Sequence, residues 1–175
     1  MSSQAAKPIS SAIDNFDVRT VFPFIQATID TLRVQCKIVV RPGKPYFKTK
    51  SENLPIDIAA VVGLASRTLN GSVAICFTKK MFLAIMGSML DEKFEEITKE
   101  MQDGAAELLN IIFGQAKKML NDKGYEVERA IPTIIRGDNI TVTYLTTGQT
   151  IVLPFDTNLG PFHIEITTEQ PGKKY

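Results

Sequence analysis

One carboxylate and one carboxamide in this sequence are spaced so that they could work together. Glu107 and Asn110 form its only Glu-x-x-Asn. Residues three apart on a helix sit side by side. The pair would therefore set an acceptor-only carboxylate beside an amide that both accepts and donates hydrogen bonds. Gly114 follows one turn further on. Glycine inside a helix costs about 1 kcal/mol against alanine, and here it would leave the ridge bare, so that a partner surface could approach the two polar side chains. Taken alone, an exposed Glu and Asn are ordinarily a solvated face, and the pair acquires meaning only from its surroundings.

Other constellations are weaker. His163 is the only histidine and lies in PFHIEITT, alternating with Phe162 and Ile164. It is expected on the strand face opposite the apolar one. Cys36 and Cys76 are far apart in sequence, and one histidine with two distant cysteines does not make a usual zinc site. Two cysteines build no disulfide framework, and Cys76, within an apolar strand, reads as core. Gly43-Lys44 lacks the upstream glycine of a phosphate-binding loop, and no nucleophile elbow is present. Met81, Met86 and Met89 read as core rather than as a docking surface. No metal ligand set is expected.

The elements that must position Glu107 and Asn110 follow from periodicity. On a helical wheel over residues 96–123, Met101, Ala105, Leu108, Leu109, Ile112, Ala116 and Met119 share one broad face that must pack on a sheet. The opposite face carries Asp103, Glu107, Asn110, Gly114, Lys117, Lys118 and Asn121, and Gly124 is a natural stop. The acidic run 91–103 suits a solvated helix N-terminus. An earlier helix is expected from Ile13 to Val34, with Phe16, Phe22, Ile25, Ile29 and Leu32 at helical spacing. Pro23 within it predicts a late start or a kink. A third, Met-rich helix is expected near 79–90.

Between the helices the period changes to two. CKIVV (36–40), PYFKT (45–49), PIDIAAVVG (55–63) and GSVAICFT (71–78) read as strands. After the long helix come YEVERA (125–130), PTIIR (132–136), NITVTYL (139–145), TIVLPF (150–155) and PFHIEITT (161–168). The order repeats: Phe24-Ile25-Gln26-Ala27 matches Phe113-Gly114-Gln115-Ala116, and each half ends on a glycine-introduced strand. The expected fold is α+β, a pseudo-two-fold α-β-β-β repeat with long helices on one shared, mostly antiparallel sheet of about six strands. A single domain is expected over 13–168, with halves near 13–90 and 91–168, a flexible tail at 1–12 and a loose end at 169–175.

Totals set bounds on function. The chain has 175 residues, 44% hydrophobic and 22% charged, with a net charge of +1. That suits one globular domain and gives no electrostatic footprint for nucleic acid or an anionic membrane. The N-terminus lacks a signal-peptide run, MFLAIMGSML (81–90) is too short to span a bilayer, and the two cysteines suit a reducing compartment. The expected location is the cytoplasm.

The segment AELLNIIFGQAKKMLNDKG, followed by AIPTIIRG (130–137), resembles the signature of the CheX, CheC and FliY phosphatase family. In that family a Glu-x-x-Asn on a long exposed helix precedes a stretch with a proline and a closing glycine, here Pro132 and Gly137. GSVAICFT with its Met-rich helix, and the Phe-Pro-Phe of the first helix, also resemble the family, over roughly residues 13–168. CheC-type members carry the motif in each half. Here Val18 and Val21 stand where Glu107 and Asn110 fall in the second half, which implies the single-site, CheX-like arrangement.

The resemblance implies a phosphatase acting on the aspartyl phosphate of a CheY-like response regulator. Asn110 would orient the attacking water and Glu107 would pair with the regulator's lysine. Asp103, Gly114 and Lys117 would meet the partner, and Mg²⁺ would come from the regulator, with no cofactor of the chain's own. A homodimer is left open. The rival reading is a non-catalytic receiver-binding or flagellar-switch adaptor, which would need no amide at position 110.

Overall fold

The computed structural model describes residues 18–144 and 148–169. The expected N-terminal tail, and all but Glu169 of the C-terminal one, lie outside them. In chain order the described elements are α1 (Val18–Cys36), β1 (Val40–Pro42), β2 (Tyr46–Phe47), β3 (Ile58–Leu64), β4 (Asn70–Phe77), α2 (Lys79–Leu90), α3 (Lys99–Asn121), β5 (Thr133–Arg136), β6 (Thr150–Thr157) and β7 (Gly160–Glu169). None of the helices is long and apolar enough to cross a membrane.

All seven strands join one sheet, in the order β1-β6-β7-β4-β3-β5, with β2 also on β6. Every pairing in it is antiparallel. The order is a palindrome if β1, β3 and β4 of the first half correspond to β5, β6 and β7 of the second. Each half thus lends its first strand to the outer side of the other half. The register locates the axis. Phe24 to Phe113 and Gly71 to Gly160 are both steps of 89 residues. Ile75 and Ile164, also 89 apart, are Cα partners across β4 and β7. Only residues beside a two-fold axis pair with their own counterparts, so the repeat is symmetric about that point.

The strand period of two divides the sheet into two faces. Ile58, Ala60 and Val62 of β3, Val73 and Ile75 of β4, and Ile164 and Ile166 of β7 join the main core beneath the three helices. The other face is thinner. Ala59, Ala74, Cys76 and Ile56 form a second cluster there, covered by Ile140, Val142 and Tyr144.

Several local expectations are corrected. Residues 139–144 alternate as a strand would, but the alternation serves to lay Ile140, Val142 and Tyr144 on the back of the sheet. The segment is tied to the start of β3, Asn139 N–H donating to Asp57 Oδ1 at 3.0 Å and Ile140 N–H to the Ile56 carbonyl at 2.7 Å. Residues 125–130 are irregular rather than a strand, because Glu126 takes a left-handed φ of 52°. CKIVV is split. Cys36 closes α1, Lys37 turns the chain at φ 55°, and Ile38 N–H donates back to the Leu32 carbonyl at 3.1 Å, so the chain leaves the helix through a left-handed residue. The strand can begin only at Val40.

The helix expectations fare better. α2 occupies the expected residues, and its Met81 and Met86 are buried. α1 already runs from Val18 through Pro23. Its buried stripe is Val21, Phe24, Ala27 and Leu32, while Phe22 points outward at 54% exposure. α3 starts at Lys99 because Thr98 caps it, its Oγ1 accepting from Met101 N–H at 3.3 Å. The acidic residues 91–96 therefore form the link between α2 and α3 rather than the first turn of α3.

Candidate functional site

α3 is amphipathic in the expected sense. Met101, Ala105, Leu108, Leu109, Ile112, Phe113, Ala116 and Leu120 are buried, each large side chain contributing about 1.5–3 kcal/mol relative to exposure. Phe113 and Leu120 take fuller part in this face than the wheel assigned, and Met119 is only partly buried. This burial fixes the rotation of the helix about its axis. The polar ridge is turned away from the sheet as a consequence, with Asp103, Glu107, Asn110, Gly114, Lys118 and Asn121 exposed and Lys117 half-buried.

Beyond α3 the chain folds back along this ridge. Gly124, at φ +87°, permits the reversal, and Tyr125 N–H donates to the Leu120 carbonyl at 3.2 Å. The Asn121 side chain then clamps the returning strand of chain. Its Oδ1 accepts from Val127 N–H at 2.6 Å and its Nδ2 donates to the Val127 carbonyl at 3.4 Å. Glu128 N–H donates to the Ala65 carbonyl at 2.8 Å.

The result is a groove of about 620 Å³. Glu107, Asn110, Gly114, Lys117, Lys118 and Asn121 of α3 form one wall, and Arg129, Ala130 and Ile131 the other. Glu107 and Asn110 come together in it as the spacing requires, with Gly114 and Lys117 beside them. A Cβ added at Gly114 would meet nothing within 4 Å, so the glycine answers no packing need of this chain. Asp103 is exposed one turn before Glu107 but does not line the groove.

Arg129 and Ile131 were missed as site residues by sequence reasoning. Ile131 is 88% exposed, and an isoleucine so bare at the rim of a polar groove is a ready apolar contact for a partner. The only signal in the sequence was its place directly before Pro132. Arg129 gave none, because the wall exists only once Asn121 has pinned the chain that follows.

An exposed carboxylate can hold a cation and an exposed carboxamide can orient a water, and both stand free here. Neither the Glu107 nor the Asn110 side chain has a hydrogen-bond partner among the described residues. One group of metal-ligand types comes together among those residues, Cys76, His163 and Glu165. It lies on the opposite face of the sheet and takes no part in the groove.

Comparison with known proteins agrees with this architecture. The structure of a CheC-like superfamily protein from Shewanella sp. PV-4 is 35% identical, with a TM-score of 0.81 over 88% of this chain and 99% of that one. A chemotaxis protein CheX from Desulfovibrio desulfuricans is 34% identical, with a TM-score of 0.78 over 86% and 99%. CheX of Borrelia burgdorferi, in its complex with CheY, BeF₃ and Mg²⁺, shares the fold at 22% identity, with a TM-score of 0.73 over 86% and 98%. No curated protein sequence matches the chain. The family model described as chemotaxis phosphatase CheX matches residues 58–156, which take in the sheet from β3 to β6 and the whole of α3. With that match spanning more than half the sequence, and the palindromic sheet and exposed α3 ridge in place, the chain belongs to the chemotaxis phosphatase CheX family.

Proposed function

We propose that this chain hydrolyses the aspartyl phosphate of a CheY-like response regulator, with Asn110 and Glu107 as the working residues. One observation carries the reading. A carboxamide and a carboxylate, both without partners of their own, are exposed together in a groove beside a glycine that no packing demands. Family membership and the Borrelia complex of a CheX with CheY support the choice of partner.

The chemistry asks little of the phosphatase. Phosphoryl transfer passes through a loose transition state, and catalysis is mostly positioning and charge stabilisation. The regulator brings the Mg²⁺ and a lysine to its own phosphoryl group. What the partner must add is a water held in line. The Asn110 carboxamide oxygen accepts a hydrogen bond from that water, whose oxygen attacks phosphorus. The phosphorus–oxygen bond to the aspartate breaks, inorganic phosphate leaves and the aspartate carboxylate is restored. One preorganised hydrogen bond of this kind is worth about 10²–10³ in rate. Glu107, one turn earlier, pairs with the regulator's lysine and sets the depth at which α3 enters. Gly114 and Lys117 border the contact, and Asp103, outside the groove, extends the ridge toward the regulator's rim.

The test is to mix the pure protein with each phosphorylated receiver from the same genome and follow phosphate release. At least one receiver should lose phosphate much faster than it does alone. If none does, while one or more binds the chain, the adaptor reading replaces this one.

A further inference from the structure

We infer that Cys76, His163 and Glu165 form a binding site for one zinc-like divalent cation on the face of the sheet turned away from the helices. The site is independent of the α3 groove and extends beyond the proposed phosphatase activity. Cys76 is distant in sequence from His163 and Glu165, and the sheet brings them together. Cys76 on β4 is the Cα partner of His163 on β7. Partners across an antiparallel pair project to the same face, as do residues two apart on one strand. That places Glu165 beside His163 and next to Cys76. One ligand atom from each residue lies within 4.8 Å of the other two.

Burial and unmet hydrogen bonding point to a ligand. Glu165 is wholly buried and His163 is 9% exposed. His163 Nε2 and Glu165 Oε2 are both buried without a hydrogen-bond partner. His163 Nε2 stands 3.4 Å from the other carboxylate oxygen, Glu165 Oε1, without hydrogen-bond geometry. Buried polar groups left unmade cost stability, and here His163 Nε2, Glu165 Oε2 and the Tyr144 hydroxyl beside Glu165 all lie on the face that carries the Cys76 thiol. A cation answers the imidazole and the carboxylate at once. Zinc takes thiolate, imidazole and carboxylate together, with Zn–S about 2.3 Å and Zn–N about 2.0–2.1 Å. Tetrahedral geometry at those lengths sets ligand atoms roughly 3.5 Å apart, so the three side chains must close by about an ångström.

The surroundings supply what such a site also needs. Lys48 Nζ bonds Glu165 Oε1 at 2.6 Å. This keeps the carboxylate oriented, as outer-shell partners of ligating carboxylates do, and the Tyr144 hydroxyl beside Glu165 is a second such group. A cavity of about 170 Å³, lined by Cys76, His163, Tyr46 and Thr78 together with Pro154 and Pro161, adjoins the site. Cys76 and Glu165 are wholly buried, so the ion would enter past His163, and a water in the cavity would complete four-fold coordination. Burial, then the Glu165 charge, push the Cys76 thiol well above its ordinary value. The thiol is therefore protonated before the ion arrives, and its proton passes to solvent as the sulfur–metal bond forms.

Cobalt is the probe, because thiolate ligation gives Co²⁺ a charge-transfer band and tetrahedral coordination intensifies its visible bands. The full chain, kept reduced, should take up one Co²⁺ with both signatures and release it to Zn²⁺. Cys76→Ser should abolish the charge-transfer band, and Cys36→Ser should leave it intact. His163→Ala should weaken binding at least tenfold, and it decides the matter if Cys76→Ser fails to fold. The proposal is overturned if the full chain shows no charge-transfer band at saturating Co²⁺, or if the band survives in Cys76→Ser. It is equally overturned if His163→Ala binds as tightly as the parent. None of these changes touches α3, so phosphatase activity and metal uptake can fail separately.

Discussion

Asn110 and Glu107 share a groove but should fail in different ways when changed. Asn110→Ala removes the group that orients water and leaves the docking surface alone. Single-turnover dephosphorylation of a saturating receiver should slow by about 10²-fold or more, while the dissociation constant of the complex stays close to that of the parent. Glu107→Lys places a like charge against the regulator's lysine, so the loss should fall on binding. Full activity in Asn110→Ala would remove the amide from the mechanism. Gly114 separates stability from function. A methyl there meets nothing, so Gly114→Ala should raise unfolding free energy by up to about 1 kcal/mol. Gly114→Phe should remain folded and yet bind the receiver poorly, because the ring fills the space that α3 offers to its partner. Urea unfolding of the two variants and a titration with receiver would check both halves of this statement.

At the scale of the strands, the Lys48–Glu165 ion pair joins the chain after β2 to the central strand β7 across the back of the sheet. Burial pushes the Glu165 carboxyl up, but its contacts with His163 and Lys48 outweigh that and hold it below its ordinary 4.5. A carboxyl depressed in the folded state adds stability above its unfolded value and loses it as pH falls through the folded value. The contribution should therefore be intact at neutral pH and disappear below about 4.5. Lys48→Met leaves a buried carboxylate without its cation, and breaking a buried pair in this way costs about 3–5 kcal/mol. Denaturant unfolding at neutral pH should show that loss. Lys48→Met with Glu165→Leu should recover most of it, since the charge is then removed together with its partner. A Lys48→Met protein as stable as the parent would mean that the pair is idle.

For the molecule as a whole, the pseudo-two-fold axis beside Ile75 and Ile164 raises the question of a second site. The repeat puts Val21 where Asn110 stands, and Val21 is only 5% exposed where Asn110 is open. The symmetry of the fold is thus not a symmetry of function. A helix also intervenes after β4 in the first half, since α2 packs against α1, and no helix follows β7 among the described residues. Each chain should engage one receiver. Light scattering of the complex with a beryllofluoride-loaded receiver should give one receiver per chain, and two per chain would show that α1 docks after all. Val21→Ala should cost stability, roughly 1–2 kcal/mol for a buried large-to-small change, and leave the rate per folded molecule unchanged.

Periodicity determined the helices, most of the strands and the side of α3 on which Glu107 and Asn110 stand, and the match of Phe24-Ile25-Gln26-Ala27 to Phe113-Gly114-Gln115-Ala116 pointed to the doubled order of elements. These properties are set by which residues must leave water, and an apolar stripe at a spacing of three and four is readable without coordinates. Tertiary structure decided the rest, for reasons of chain reversal and partnership. Alternation in residues 139–144 reads as a strand, yet whether an extended segment pairs at an edge or lies across a face depends on which hydrogen bonds are free elsewhere, here at Ile56 and Asp57. The second wall of the groove, Arg129 and Ile131, exists because Asn121 captures Val127, a contact with no periodic signature. His163 could be placed on the back of its strand from alternation, but nothing in a linear reading sets it opposite Cys76. That meeting follows from the pairing of β4 with β7, and register between distant strands is settled only when the whole sheet closes on its core.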